Sequence, residues 1–283
     1  MGLSVNNDLV NLSDNFDVAK KVFEEVDEAL EFKLSDLIWN GEIDELTLTE
    51  NAQPAIMANS MAIWYTLKSE GYIIDNDCVV AGHSLGEYSA AVAAGVLSFK
   101  DAMIAVSARG REMASIEIED PGQMIGVGAS PEKVEMILSE IREKLLQNGE
   151  VLHYVVAANK NSPAQTVIAG SSLGVEQVLE YLESKRISFQ RLPVSHAFHT
   201  KIVAPASKPL ESILQKLDIR LPKIPISSNV TGSWYPNSKE EIIVLLSQQI
   251  ASPVEWTKQM ELLYESGART FIECGPKRAL TGF

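Results

Sequence analysis

A chain of 283 residues, 46% hydrophobic and 22% charged, has the material for a substantial core, as one large domain or a main domain with a smaller one inserted. Its formal net charge of −14 excludes nucleic acid as a partner, because phosphate binding needs a basic surplus. No apolar run nears the roughly 20 residues that cross a bilayer, residues 1–17 carry no secretory-signal pattern, and two cysteines, Cys78 and Cys274, make no disulfide framework, so a cytoplasmic protein that avoids membranes is expected. In chain order, Val18, Val22, Phe23, Val26 and Leu30 recur at helical spacing and predict a helix over 17–30. A second apolar helix is predicted over 54–68, with Gly71 as its stop. Residues 78–82 form a short β-branched run suited to a buried strand, followed by helices over 85–94 and 100–115. From Gly122 a distinct segment begins: strand 124–128, helix 131–147, strands 151–158 and 166–169, helix 173–184 and strand 187–194. That β-α-β-β-α-β order is the ferredoxin-like pattern. Strand 224–230, helices 240–250 and 255–266 and strand 270–273 then resume the alternation, which favours a mostly parallel sheet with helices on both faces.

Gly82-His83-Ser84-Leu85-Gly86 fits the G-x-S-x-G pattern. The pentad alone is weak, since three fixed positions arise by chance roughly once in ten chains of this length. Its context adds weight: a β-branched strand precedes it and a helix of small residues follows. A sharp turn there lifts the serine hydroxyl off the strand end, and the helix N-terminus offers free N–H groups to a developing oxyanion. The competing reading is a strand-to-helix turn whose serine merely caps the helix. A serine nucleophile needs a base, and there are four histidines: His83, His153, His196 and His199. His153 falls in a predicted strand and reads as structural. By itself Arg109 reads as an ordinary solvated helical arginine. No C-x-x-C or H-E-x-x-H spacing signals a metal, and Gly126-Val127-Gly128 is too sparse for a dinucleotide site.

The longer string Ala81-Gly82-His83-Ser84-Leu85-Gly86-Glu87-Tyr88-Ser89-Ala90 resembles the active-site segment of the malonyl-CoA:acyl carrier protein transacylases of fatty acid synthesis and of polyketide synthase acyltransferase domains. The resemblance implies an α/β fold: an α/β-hydrolase-like catalytic domain, residues 1–121 and 191–283, interrupted by a ferredoxin-like subdomain, residues 122–190. It implies Ser84 as nucleophile, with the Leu85 N–H as an oxyanion donor. His199, last of His196-Ala197-Phe198-His199, becomes the base, oriented by a backbone carbonyl at Gln249 rather than by a carboxylate; His83 and His196 support. Arg109 becomes the malonyl-binding guanidinium, whose planar fork suits a carboxylate, and Met113, four residues on, shares its helix face. Phe198 matches the malonyl form H-A-F-H, where methylmalonyl enzymes commonly carry Y-A-S-H; the ring fills the space of an α-methyl branch. Asn159 and Asn161 resemble a polar loop that reaches over the cleft, near which Lys160, Arg191 and Lys201 are expected to meet anionic partners.

The implied substrates are malonyl-CoA and the phosphopantetheine thiol of acyl carrier protein, with no permanently bound cofactor, no metal and a monomeric enzyme. A free-standing chain of this size favours fatty acid synthesis. Family members open with a strand and a loop of the form F-P-G-Q-G-S-Q, whose glutamine completes the oxyanion hole. That segment would precede Met1, and a natural chain that begins earlier is expected. Two other functions stay open: a serine hydrolase releasing acyl groups to water, against which Arg109 speaks, and a non-catalytic subunit lacking the oxyanion loop.

Overall fold

The computed structural model describes residues 12–30, 32–73 and 77–283 and has an α/β architecture. Helix α1 (Asp17–Leu30) leads, as its periodicity requires, with Ala19, Val22, Phe23 and Val26 buried. Short helices α2 (Leu34–Asn40) and α3 (Ile43–Leu46) connect it to the long helix α4 (Thr49–Ser69). The sequence opens α4 at Pro54, where proline commonly starts a helix, but residues 49–53 already wind the turns ahead of it. Gly71, with φ +77°, ends the segment as expected. After the serine turn come α5 (Gly86–Ala93) and α6 (Phe99–Ala114), the latter capped by the Ser98 hydroxyl accepting from the Asp101 N–H. Helices α1, α4 and α6 pack together around Phe23, Met57, Met61, Met103 and Val106. A Cβ on Gly110 would lie 2.8 Å from Glu50 Cα, so only glycine allows α4 and α6 this close beside Arg109.

The second body follows the predicted order: β1 (Gln123–Val127), α7 (Pro131–Gln147), β2 (Val155–Ser162), β3 (Gln165–Gly170), α8 (Ser172–Ser184) and β4 (Phe189–Arg191). All pairings are antiparallel and the strand order is β2-β3-β1-β4. One face, with Ile125, Val127 and Ile168, is covered by α7 and α8. The other, with Met124, Ala158, Val167 and Ala169, packs on Ala197, Phe198 and Ile202. That second contact ties the sheet to the loop that carries His199.

The chain then runs through a 3₁₀ turn (Lys201–Ala206), α9 (Ser207–Leu214), α10 (Lys239–Gln248), a second 3₁₀ turn (Gln249–Ala251) and α11 (Trp256–Glu265). Three sequence expectations need correction here. The strands expected over 78–82 and 224–230 form one parallel bridge, Val80 to Ile226, instead of a ladder, because the chain turns at once into a bridge between Ser227 and Trp234. Residues 270–273 form no strand, and Phe271 and Ile272 are half exposed. Asn159 and Asn161 are not in a loop. They sit at the bulged end of β2, which leaves its register with β3 and hydrogen-bonds to Val254 through the Lys160 N–H. No described helix is long and apolar enough to cross a membrane.

Candidate active site

Ser84 stands at the end of the Val80 segment, two residues before α5, with φ +52°. A non-glycine residue rarely tolerates that conformation unless its surroundings impose it. Three side-chain amide contacts impose it here. Asn229 Oδ1 accepts from the Ser84 N–H at 2.6 Å, Asn229 Nδ2 donates to the Gly82 carbonyl at 2.6 Å, and Gln249 Nε2 donates to the Ser84 carbonyl at 2.8 Å. The two glycines of the pentad are not equivalent. A Cβ on Gly82 would fall 1.9 Å from the Gly86 carbonyl oxygen, whereas one on Gly86 would meet nothing within 4 Å. The Gly86 and Glu87 N–H groups close turns onto the His83 and Ser84 carbonyls. Leu85 N–H has no acceptor among the described residues and opens α5.

His199 comes from the loop after the small sheet, 115 residues from Ser84, yet its Nε2 lies 2.8 Å from Ser84 Oγ. It too has a positive φ, +60°, and its N–H donates to the Ile250 carbonyl. Its Nδ1 faces two carbonyls, Gln249 at 3.0 Å and Ser252 at 3.2 Å. Both are acceptors, so Nδ1 carries the proton and Nε2 presents its lone pair to the serine hydroxyl. Burial, then the charge of Arg109, then His83 press the imidazole down to about 3, which keeps it neutral.

Arg109 is 2% exposed on α6 and its Nη2 donates to Ser84 Oγ at 3.1 Å and to Gln249 Oε1 at 3.2 Å. Nη1 donates to Gln53 Oε1, and the guanidinium lies over the Tyr88 ring. The ion pairs of the described residues all lie elsewhere, and the buried Nε has no partner. A buried guanidinium facing only neutral acceptors is suited to pair with an anion. Burial pulls its pKa down, as expected of a cation with no carboxylate in contact.

The other sequence candidates surround this centre. Met113 is buried, and its sulfur accepts from Gln53 Nε2 at 3.5 Å. Phe198 precedes the imidazole and is partly buried between the two bodies. His83 points away from the serine: its Nε2 meets Asn161 Oδ1 at 2.9 Å and its ring packs on Trp256 and Phe283. Asn159 is buried beside the Val254 bridge. His196 is held by the Ile116 carbonyl and the Ser195 hydroxyl. The three basic residues expected near the cleft are already engaged: Lys160 with Glu255 at 2.6 Å, Arg191 with Glu176 at 2.8 Å, and Lys201 over the Tyr154 ring. Sequence reasoning missed Asn229, Gln53, Glu87 and the side chain of Gln249. The available signal was polar type within apolar context, as with Glu87 in a helix of small residues. Among the described residues no group of three or more His, Cys, Asp or Glu is placed to hold a metal ion.

A half-buried serine hydroxyl 2.8 Å from an imidazole nitrogen and 3.1 Å from a buried guanidinium, set at a strand-to-helix turn of an α/β fold, has the arrangement of an acyl-transfer centre. A family model described as an acyl transferase domain matches residues 3–281. A malonyl CoA-acyl carrier protein transacylase of Bacillus subtilis (strain 168) is 40% identical over 267 residues, covering 93% of this chain and 80% of the relative. Among solved structures, the malonyl CoA-acyl carrier protein transacylase of Clostridium perfringens superposes with a TM-score of 0.89 at 34% identity, over 99% of this chain and 85% of that one. A complex of a type II PKS acyl-carrier protein with its malonyl-transacylase gives 0.87 at 33% identity, over 99% and 88%. The chain belongs to the acyl transferase domain family, alongside the malonyl CoA-acyl carrier protein transacylases that residues 81–90 resemble, and is an acyltransferase.

Proposed function

We propose that this enzyme takes the malonyl group of malonyl-CoA onto Ser84 and passes it to the phosphopantetheine thiol of acyl carrier protein, supplying fatty acid synthesis. The observation that carries this reading is Arg109: a buried cation with no counter-carboxylate in contact, 3.1 Å from the hydroxyl that His199 activates. In the first half-reaction His199 Nε2 removes the serine proton as Oγ attacks the thioester carbonyl. The Leu85 N–H faces the developing oxyanion, and the imidazolium returns the proton to the departing coenzyme A thiolate. In the second half the carrier thiol gives its proton to the same Nε2, attacks the malonyl-serine ester, and Ser84 leaves with the proton restored. The Gln249 and Ser252 carbonyls hold the imidazole upright in both halves without the full charge of a triad carboxylate. The malonyl carboxylate pairs with Arg109, with Met113 and Gln53 behind it and Phe198 limiting the α-carbon. His83, Asn159 and Asn161 shape the cleft at the sheet's bulged edge.

The same proposal divides the chain into an α/β-hydrolase-like catalytic domain, 1–121 and 191–283, and a ferredoxin-like subdomain, 122–190. The β-α-β-β-α-β order with antiparallel strands β2-β3-β1-β4 supports the second, and the parallel Val80–Ile226 bridge leading to the nucleophile supports the first. The enzyme acts in the cytoplasm, a reading supported by its two cysteines, and as the monomer that the family resemblance implies. Incubation with malonyl-CoA, followed by intact-mass analysis, should show one malonyl adduct that is lost in Ser84→Ala and discharged by holo carrier protein. Release of free malonate with no malonylated carrier would favour a hydrolase instead, and no adduct at all would refute the proposal.

A further inference from the structure

Glu87 is fully buried in the first turn of α5, and the acyl-transfer chemistry makes no use of it. Its carboxylate receives three donors: Gln249 Nε2 at 2.5 Å and the Asn229 N–H at 3.3 Å on Oε2, and the Tyr235 hydroxyl at 2.8 Å on Oε1. A carboxylate only accepts, so three converging donors are a cage built for the ionised form. Among the described residues no cation touches it. The Gln249 amide instead stands between Glu87 and Arg109, donating from nitrogen to the one and accepting on oxygen from the other. The two charges are therefore linked through a single neutral amide among buried residues.

We propose that Glu87 is the counter-charge of the Arg109 anion site, coupled to it through the Gln249 side chain, and that it limits how tightly the site holds a substrate carboxylate. Direct contact between Glu87 and Arg109 would fill the guanidinium fork and close the site. Complete absence of a counter-charge would leave a buried cation that grips any carboxylate strongly. Strong ground-state grip lowers KM without speeding chemistry and slows handover of the acyl group. One amide of separation keeps the fork open and the net charge of the empty site at zero. Burial pushes the Glu87 carboxyl up to about 7, against the pull of its three donors and of Arg109, so its charge is present at pH 8 and fades below neutrality.

The inference rests on the malonyl reading of the site, and the test separates the two. In a Ser84→Ala background, which binds without turnover, calorimetric Kd values for malonyl-CoA and acetyl-CoA are compared with and without Glu87→Gln at pH 8. Glutamine is isosteric here: its oxygen can accept from Gln249 and Asn229, and its NH₂ can donate to the Tyr235 hydroxyl. Removing a unit charge two hydrogen bonds away, at an effective dielectric near 20, should tighten malonyl-CoA on the order of tenfold and leave acetyl-CoA unchanged. An unchanged or weaker malonyl-CoA Kd, or equal shifts for both ligands, overturns the proposal and leaves the function standing. No preference for malonyl-CoA in Ser84→Ala itself overturns both. Should Glu87→Gln fail to fold, the second arm is the pH dependence of Ser84→Ala alone. The ionisable groups facing Glu87 are Arg109, Tyr88 and Tyr235, with His83 and His199 beyond Arg109. Both tyrosines are held protonated and both histidines neutral by burial, so malonyl-CoA affinity should rise between pH 8.5 and 6 while acetyl-CoA affinity stays flat. A flat malonyl-CoA profile is the overturning result.

Discussion

Replacing Arg109 by alanine removes the guanidinium proposed to pair with the malonyl carboxylate. Its guanidinium donates from Nη1 to Gln53 and from Nη2 to both Gln249 and Ser84, so truncation also leaves Gln53 Oε1 and Gln249 Oε1 short of a donor. Removing one partner of a buried, hydrogen-bonded charge pair costs about 2–5 kcal/mol, much of it the penalty of stranding the other charge. At about 1.4 kcal/mol per decade that is a loss of roughly 30- to 5,000-fold in kcat/KM for malonyl-CoA. Acetyl-CoA brings no carboxylate and loses none of this, and it gains a site without a buried cation; its transfer should hold steady or rise. Arg109→Lys keeps the charge and loses the planar fork, so it should fall between the two. The assay is initial-rate transfer to holo carrier protein from each thioester, with Ser84 adduct formation followed by mass. An equal loss for malonyl and acetyl would show that Arg109 only supports the serine turn, and the reasoning from its unpaired charge would be refuted.

The pentad glycines should separate sharply. Gly82→Ala drives a methyl into the Gly86 backbone and should abolish soluble protein, while Gly86→Ala should keep its melting temperature and adduct formation within about twofold of the parent; equal tolerance at both would contradict the turn geometry. Phe198→Ser opens space beside the imidazole and should raise methylmalonyl against malonyl transfer by about 5- to 150-fold, the worth of one methylene; an unchanged ratio would remove Phe198 as the selectivity wall. Stability should carry the mark of Glu87. Its carboxyl is raised from the ordinary 4.5 to about 7, so the folded state gains full stabilisation from the bound proton below pH 4.5 and loses it as pH rises through 7. Urea unfolding should therefore show the parent losing up to about 3 kcal/mol more than Glu87→Gln between pH 4.5 and 8, and parallel profiles would argue against a raised carboxyl.

Helices were legible because their signals are local. The apolar stripe of α1 and the small-residue run of α5 can be read within a dozen positions. The order of the small sheet was equally plain, down to the helix over 131–147 with its proline in the first turn. What failed was pairing. Residues 78–82 and 224–230 have strand composition, but a ladder depends on partners far away in sequence, and these two segments share one bridge before diverging. The Asn159-Lys160-Asn161 stretch reads as a polar loop by residue type alone. It is strand because β3 pairs it on one side and Val254 on the other.

The site divides along the same line. Ser84 was singled out by its pentad and flanking elements, while His199 and Arg109 were proposed only through the resemblance of their segments to the family's. The residues that hold them were not singled out for that role. Asn229 lies 145 positions from the serine whose N–H it accepts, and Gln249 lies 140 from the arginine and 165 from the serine carbonyl it binds. The sequence assigned Gln249 through its backbone carbonyl, which does receive the imidazole N–H. The same residue spends its side chain on Ser84, Glu87 and Arg109. Buried amides are chosen by geometry more than by pattern: Asn and Gln each offer two donors and an acceptor without a charge, so they can satisfy a strained turn, a carboxylate and a guanidinium together. A positive φ at both Ser84 and His199 is strain that such contacts must hold in place. The serine turn was therefore suggested by five residues with the strand and helix flanking them, while the contacts that keep it in position come from two distant amides, Asn229 and Gln249.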